Sequence, residues 1–219
     1  RESRGVALSL ARNIGTAAKL ATIAADAQLT SSSPKVAAER ASAHISALED
    51  LYVVEPIKGW DAPIRSRSRL RTKPKRYFAD PSLAASLLQV TPERLLGDGQ
   101  LFGMLFESLA IHALGVYARA LPGAPAEPLF YYRDSDGLEV DAVVELRDGR
   151  WAPIEIKLGE NKVPEAFESI ARLRRKVAAN PAARNPEPVF SAVIVGAGEY
   201  ARYDRDADTY VIPLTSLGV

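Results

Sequence analysis

The sequence contains no cysteine, which excludes disulfides and thiolate-bound metal. That absence fits a cytoplasmic location. There are only two histidines, His44 and His112, so a zinc site built on imidazoles is not expected. Neither histidine is assigned a role. No run of eighteen apolar residues occurs, so no membrane span is expected. No secretory signal pattern is visible at the start. The phosphate-cradling pattern G-x-x-x-x-G-K-[S/T] is also missing, and Gly196-Ala197-Gly198 does not replace it. The chain itself is therefore not expected to bind ATP. It begins at Arg1 rather than Met, which reads as a piece of a longer protein.

Acidic residues are absent between positions 62 and 79, where seven cations lie: Arg65, Arg67, Arg69, Arg71, Lys73, Lys75 and Arg76. The net charge is only +1, so the rest of the chain is net −6. Six of these cations fall on odd positions, and an extended ribbon would line them on one face. Such a face suits phosphate contacts, which give affinity without sequence readout. Docking of another domain is the equal alternative.

Hydrophobic residues make up 47% of the 219 and charged ones 25%, values that belong to a folded globular chain. Residues 4–12 read as a helix. Thr16 is expected to cap a second, and Ser33 with Pro34 to start a third that runs to Asp50. Ala37, Ala41, Ile45 and Leu48 form the apolar face of that third helix. Strands are expected at 51–57 and 75–78. Helix, turn, helix and a two-stranded ribbon is the order of a winged helix-turn-helix, expected over residues 1–80. Its recognition helix would expose Lys35, Glu39 and Arg40.

Residues 81–219 are expected to form a second domain. A long helix, 101–120, has Leu105, Leu109, Ala113 and Val116 as its expected buried face and carries Glu107. Strands follow at 129–133, 138–146 and 151–158, then a helix at 161–179 with Phe167, Ile170, Leu173 and Val177 as its stripe. Val189–Val195 reads as a strand covered on both faces, and 210–212 as a last strand. Asp148-Gly149 marks a tight hairpin between the third and fourth of these elements. That hairpin brings Asp141 near Glu155 and Lys157: two carboxylates and an ammonium on adjacent strands. Two close carboxylates repel, and a hard divalent cation relieves the repulsion. The bland alternative is a solvated outer face, where Glu and Lys are common.

Asp141 followed by Glu155-x-Lys157 resembles the PD-(D/E)xK nuclease signature, with Val140 where the family name has proline. The order α-β-β-β-α-β is that of the restriction-endonuclease-like fold. The resemblance implies an α/β (mixed α+β) chain with Mg²⁺ or Mn²⁺ held by Asp141 and Glu155, and Lys157 acting on the phosphate. It also implies a further metal contact from Glu107 on the first helix.

A wider resemblance rests on Leu48–Val54, Trp60, Pro74–Asp80, Leu83-Ala84-Ala85, Gly99–Phe102 with Phe106-Glu107, Glu139–Asp141 and Ile154–Lys157. Together these strings resemble the C-terminal half of prokaryotic AAA-type ATPases that carry a C-terminal domain of unknown function. That resemblance implies DNA and the ATPase module of the same polypeptide as partners. It leaves two readings: a metal-dependent nuclease module, or an inactive module that senses nucleic acid or a protein for the ATPase.

Overall fold

The computed structural model describes residues 1–63 and 72–217, and the chain is a mixed α/β protein. It divides into two compact units. The first is Arg1–Ile57 with Lys73–His112, and the second is Lys58–Thr72 with Ala113–Val219.

The first unit holds α1 (Glu2–Arg12), α2 (Leu20–Asp26), α3 (Pro34–Asp50), most of β1 (Val54–Gly59), β2 (Lys75–Phe78), α4 (Pro81–Leu88), α5 (Pro92–Gly97) and the first part of α6 (Gly99–Ala120). Three helices start alike, with an oxygen-bearing residue followed by proline. Ser33 Oγ accepts from Val36 N at 3.3 Å, Asp80 Oδ1 from Ser82 N at 2.8 Å, and Thr91 Oγ1 from Arg94 N at 3.4 Å. Each cap satisfies an N–H that the helix leaves unpaired, and each proline occupies a position needing no N–H. Thr16 is not such a cap. Its hydroxyl donates to Asn13 O at 2.8 Å, and α2 starts only at Leu20. On α3, Ala37, Ala41 and Ile45 are buried as the spacing requires. β1 begins later than expected because Leu51 and Tyr52 still belong to the turn that ends α3, and both are exposed. β1 and β2 pair antiparallel, with Val54 opposite Phe78 and Ile57 opposite Lys75.

The second unit is built on one mixed sheet. Its order is β1 (through Lys58 and Gly59), β3 (Leu129–Arg133), β4 (Glu139–Glu145), β5 (Trp151–Lys157), β6 (Ala192–Val195), β8 (Thr209–Pro213) and β7 (Arg202–Asp204). β3, β4 and β5 run antiparallel to one another. β5, β6 and β8 are parallel, and β7 returns antiparallel on the edge. The β4–β5 turn closes where Asp148-Gly149 stands. Gly149 has φ +82° and its N–H donates to Leu146 O at 2.9 Å. The helix α7 (Val163–Ala178) crosses from β5 to β6, and its apolar stripe packs on the sheet. Val163, Ala166 and Ile170 meet Val193, Val195 and Val211, while Leu173 and Val177 meet Val143 and Trp151.

Two expectations are corrected here. β6 is shorter than the apolar run suggested, because Val189 and Phe190 lie outside the strand and are exposed. The buried face of α6 is also different: Leu105, Phe106, Ala110, Ile111, Leu114 and Ala118 are inside, while Leu109 and Val116 are exposed. This helix is apolar around most of its circumference, so its spacing alone does not select a face. It is long and apolar enough to cross a membrane by length and composition, and 44% of that stretch is buried in the protein.

Leu173 is fully buried beneath the sheet. Leu173→Ala should cost about 2–5 kcal/mol through lost burial and the cavity left behind. Urea unfolding checks this, and a loss below about 1 kcal/mol would contradict the packing described.

Candidate active site

The functional candidates of the second unit meet where two strands part. The β4–β5 ladder runs from Glu145↔Trp151 to Ala142↔Ile154 and ends there. Two residues further along β5, the Ile156 N–H donates to Asp141 Oδ2 at 2.9 Å. A carboxylate thus takes the place of a backbone acceptor. Lys157 Nζ donates to the same Asp141 Oδ2 at 3.1 Å and to Glu155 Oε2 at 2.5 Å.

The surroundings decide what these charges mean. β5 and β6 are in parallel register, with Glu155 beside Val193 and Lys157 beside Val195. Those valines are covered by α7, so Glu155 and Lys157 share the helix-covered face. Glu155 is only 2% exposed. The solvated-face alternative is therefore excluded for Glu155. Burial, and next the Asp141 carboxylate within hydrogen-bonding reach, push the Glu155 carboxyl well above its usual range. Lys157 only partly offsets that rise. For Lys157, burial acts to lower the pKa, but the two carboxylates outweigh it and hold the ammonium above its usual range.

Glu107 lies in the first unit, on α6. Its Oε1 accepts from Tyr77 OH at 2.6 Å and from Lys75 Nζ at 3.5 Å. Gly15, with φ +70°, packs beside this group, and an added Cβ would stand 3.1 Å from the Tyr77 ring. Lys75 is 3% exposed, because β2 turns it and Tyr77 to the same inner face. Lys75 is thus not part of a solvent-facing cationic row. Arg76 Nε donates to Glu49 Oε1 at 3.2 Å and is half-buried. Lys73 is exposed. Arg65, Arg67, Arg69 and Arg71 lie outside the described residues. His112 Nδ1 is 3.0 Å from Glu55 Oε2, and His44 contacts Glu2 and Ser3, pairings that the sequence spacing does not reveal.

Among the described residues no group of three or more Asp, Glu or His side chains is arranged to hold a metal. Asp141 and Glu155 form a two-carboxylate donor set beside an ammonium. Hard oxygen donors in that number suit Mg²⁺ or Mn²⁺, which keep several waters and take further ligands from a phosphate. They do not suit Zn²⁺, which prefers sulfur and imidazole.

Residues 102–217 match the domain of unknown function DUF4143, and residues 2–94 match the domain of unknown function DUF8612. The first match covers more than half of the chain, which therefore belongs to the DUF4143 family. That domain is typically found in C-terminal regions associated with AAA-type ATPases. No curated protein and no solved structure matches.

Two outcomes follow from the site's electrostatics. A carboxyl whose folded pKa is raised binds its proton more tightly when folded. Its stabilising contribution is full below the unfolded value of 4.5 and is lost as pH rises through the folded value. Wild-type stability should therefore fall as pH rises above the ordinary glutamate range, and Glu155→Gln should flatten that fall. Equal slopes in urea titrations across pH would contradict the buried, proton-retaining carboxyl. Separately, Glu107→Gln should cost about 1–3 kcal/mol, because a hydrogen bond to a charged acceptor and an ion-pair partner of buried Lys75 are both weakened. A side chain serving only as a metal contact would leave metal-free stability unchanged.

Proposed function

We propose that the second unit is a divalent-cation-dependent phosphodiesterase module of the restriction-endonuclease-like type acting on DNA. The observation that carries the reading is the convergence of Asp141, Glu155 and Lys157, with Glu155 inside the protein rather than in solvent. A buried carboxylate beside a second carboxylate is costly and is not explained by packing alone.

Asp141 and Glu155 would be the residues that hold the cation. Bound Mg²⁺ or Mn²⁺ supplies Lewis-acid polarisation of the scissile phosphate and a water of lowered pKa. Lys157 stabilises the charge that builds on the phosphate oxygens during attack. Asp141 keeps its orientation through the Ile156 N–H, which fixes one of its oxygens.

The first unit, in this reading, is a winged helix. Its order of α1, α2, α3 and the β1–β2 ribbon supports that, and α3 would be the helix presented to DNA. Phosphate contacts are assigned to Arg65, Arg67, Arg69, Arg71 and Lys73, with Lys75 and Arg76 serving the unit's own ion pairs. An ATPase module of the same polypeptide is the proposed partner, and the proposed location is cytoplasmic.

The test is a pairing of calorimetry with cleavage. Wild type should bind Mn²⁺ and nick DNA only when Mg²⁺ or Mn²⁺ is present. Asp141→Ala and Glu155→Ala should each lose both properties. A wild-type chain that binds no divalent cation, with DNA present or absent, removes the catalytic reading.

A further inference from the structure

Resting on the metal-site reading, we infer that Lys157 is a latch: its ammonium occupies the space between Asp141 and Glu155 and leaves that space when a divalent cation enters. Nζ lies 3.1 Å from an oxygen of Asp141 and 2.5 Å from an oxygen of Glu155, so it bridges the two carboxylates. A cation bonded to both carboxylates needs oxygens at about 2.0–2.1 Å and claims the same space. The ammonium and the cation therefore compete.

Of the three side chains, only Lys157 has room to move. Asp141 Oδ2 is fixed by the Ile156 N–H at 2.9 Å. The Glu155 side chain is 3% exposed, whereas that of Lys157 is 23% exposed and reaches the surface. Lysine also has a flexible four-carbon stem on which to swing. Glu165, in the first turn of α7, carries an exposed carboxylate that pairs with Lys162 at 3.0 Å and lies within electrostatic reach of Lys157, so the displaced ammonium moves towards negative charge shared with Lys162.

Two measurements test this on the full chain. Mn²⁺ alone is titrated into wild type and Lys157→Met by calorimetry. The variant should bind at least about tenfold more tightly, the scale set by one unit charge removed from a partly buried site. The second measurement uses wild type only, so it does not depend on how the variant folds. Lys157 is acylated with an amine-reactive reagent and read by mass spectrometry. Modification should be slow without Mn²⁺ and should rise when Mn²⁺ is added.

Equal or weaker Mn²⁺ binding by Lys157→Met overturns the latch, as does acylation that ignores Mn²⁺. If both proteins bind alike and Asp141→Ala does not bind, the metal site stands and the latch alone is wrong. If neither wild type nor Lys157→Met binds Mn²⁺, the metal reading is wrong and the latch falls with it.

Discussion

Glu155 is a carboxyl group placed inside a sheet that is covered by helix on its own face. A lone buried carboxylate is among the most costly groups a fold can hold. The local structure of the second unit answers that cost in two ways. Lys157 returns from two residues along the same strand to pair with it. The Glu155 carboxyl retains its proton to higher pH than usual, which reduces the charge that must be buried. Asp141, its neighbour across the hairpin, adds to the cost by repulsion and is itself held by the Ile156 N–H. The end of the β4–β5 ladder at Ala142↔Ile154 makes that contact possible, because it frees the Ile156 N–H for a side chain.

The first unit has a second buried charge, solved differently. Lys75 is turned inward by β2 and meets Glu107 on α6, with Tyr77 donating to the same oxygen. Gly15 gives the group room. This arrangement ties the β1–β2 ribbon to α6 by polar contacts, while Ser108 Oγ does the same by donating to Phe78 O at 3.1 Å. Glu107 thus has a structural occupation in its own unit. The two family matches meet between residues 94 and 102, whereas the compact units exchange chain at 57, 72 and 112. The strand β1 and the helix α6 are each shared by both units, so the matched segments and the packed bodies do not coincide.

Much of this was legible in the residue pattern. The order of strands and helices from 129 to 178 follows from alternation, from Asp148-Gly149 and from the 3.6-residue stripe of α7. The trio Asp141, Glu155 and Lys157 was readable because a short turn fixes the register of a hairpin. What escaped is of another kind. The buried face of α6 was not readable, because leucine, phenylalanine and alanine surround the helix and tertiary packing selects among them. The inward turn of Lys75 was not readable either, since a run of alternating cations looks like a solvated ribbon until one member finds Glu107. The edge strand β7 carries too few residues, Arg202–Asp204, to leave a periodic signal. The burial of Glu155 depends on α7 lying over Val193 and Val195, a contact across the segment that joins α7 to β6 and one that local periodicity does not report.

The central claim is that Asp141 and Glu155 together form a seat for one hard cation. Crystals of this chain soaked in Mn²⁺ and measured at a wavelength where manganese scatters anomalously test it most directly. The account predicts a single strong anomalous peak between β4 and β5, with an oxygen of each carboxylate about 2.0–2.2 Å from it. A clean map with no peak there, and Lys157 still bridging the two carboxylates at saturating Mn²⁺, would contradict it.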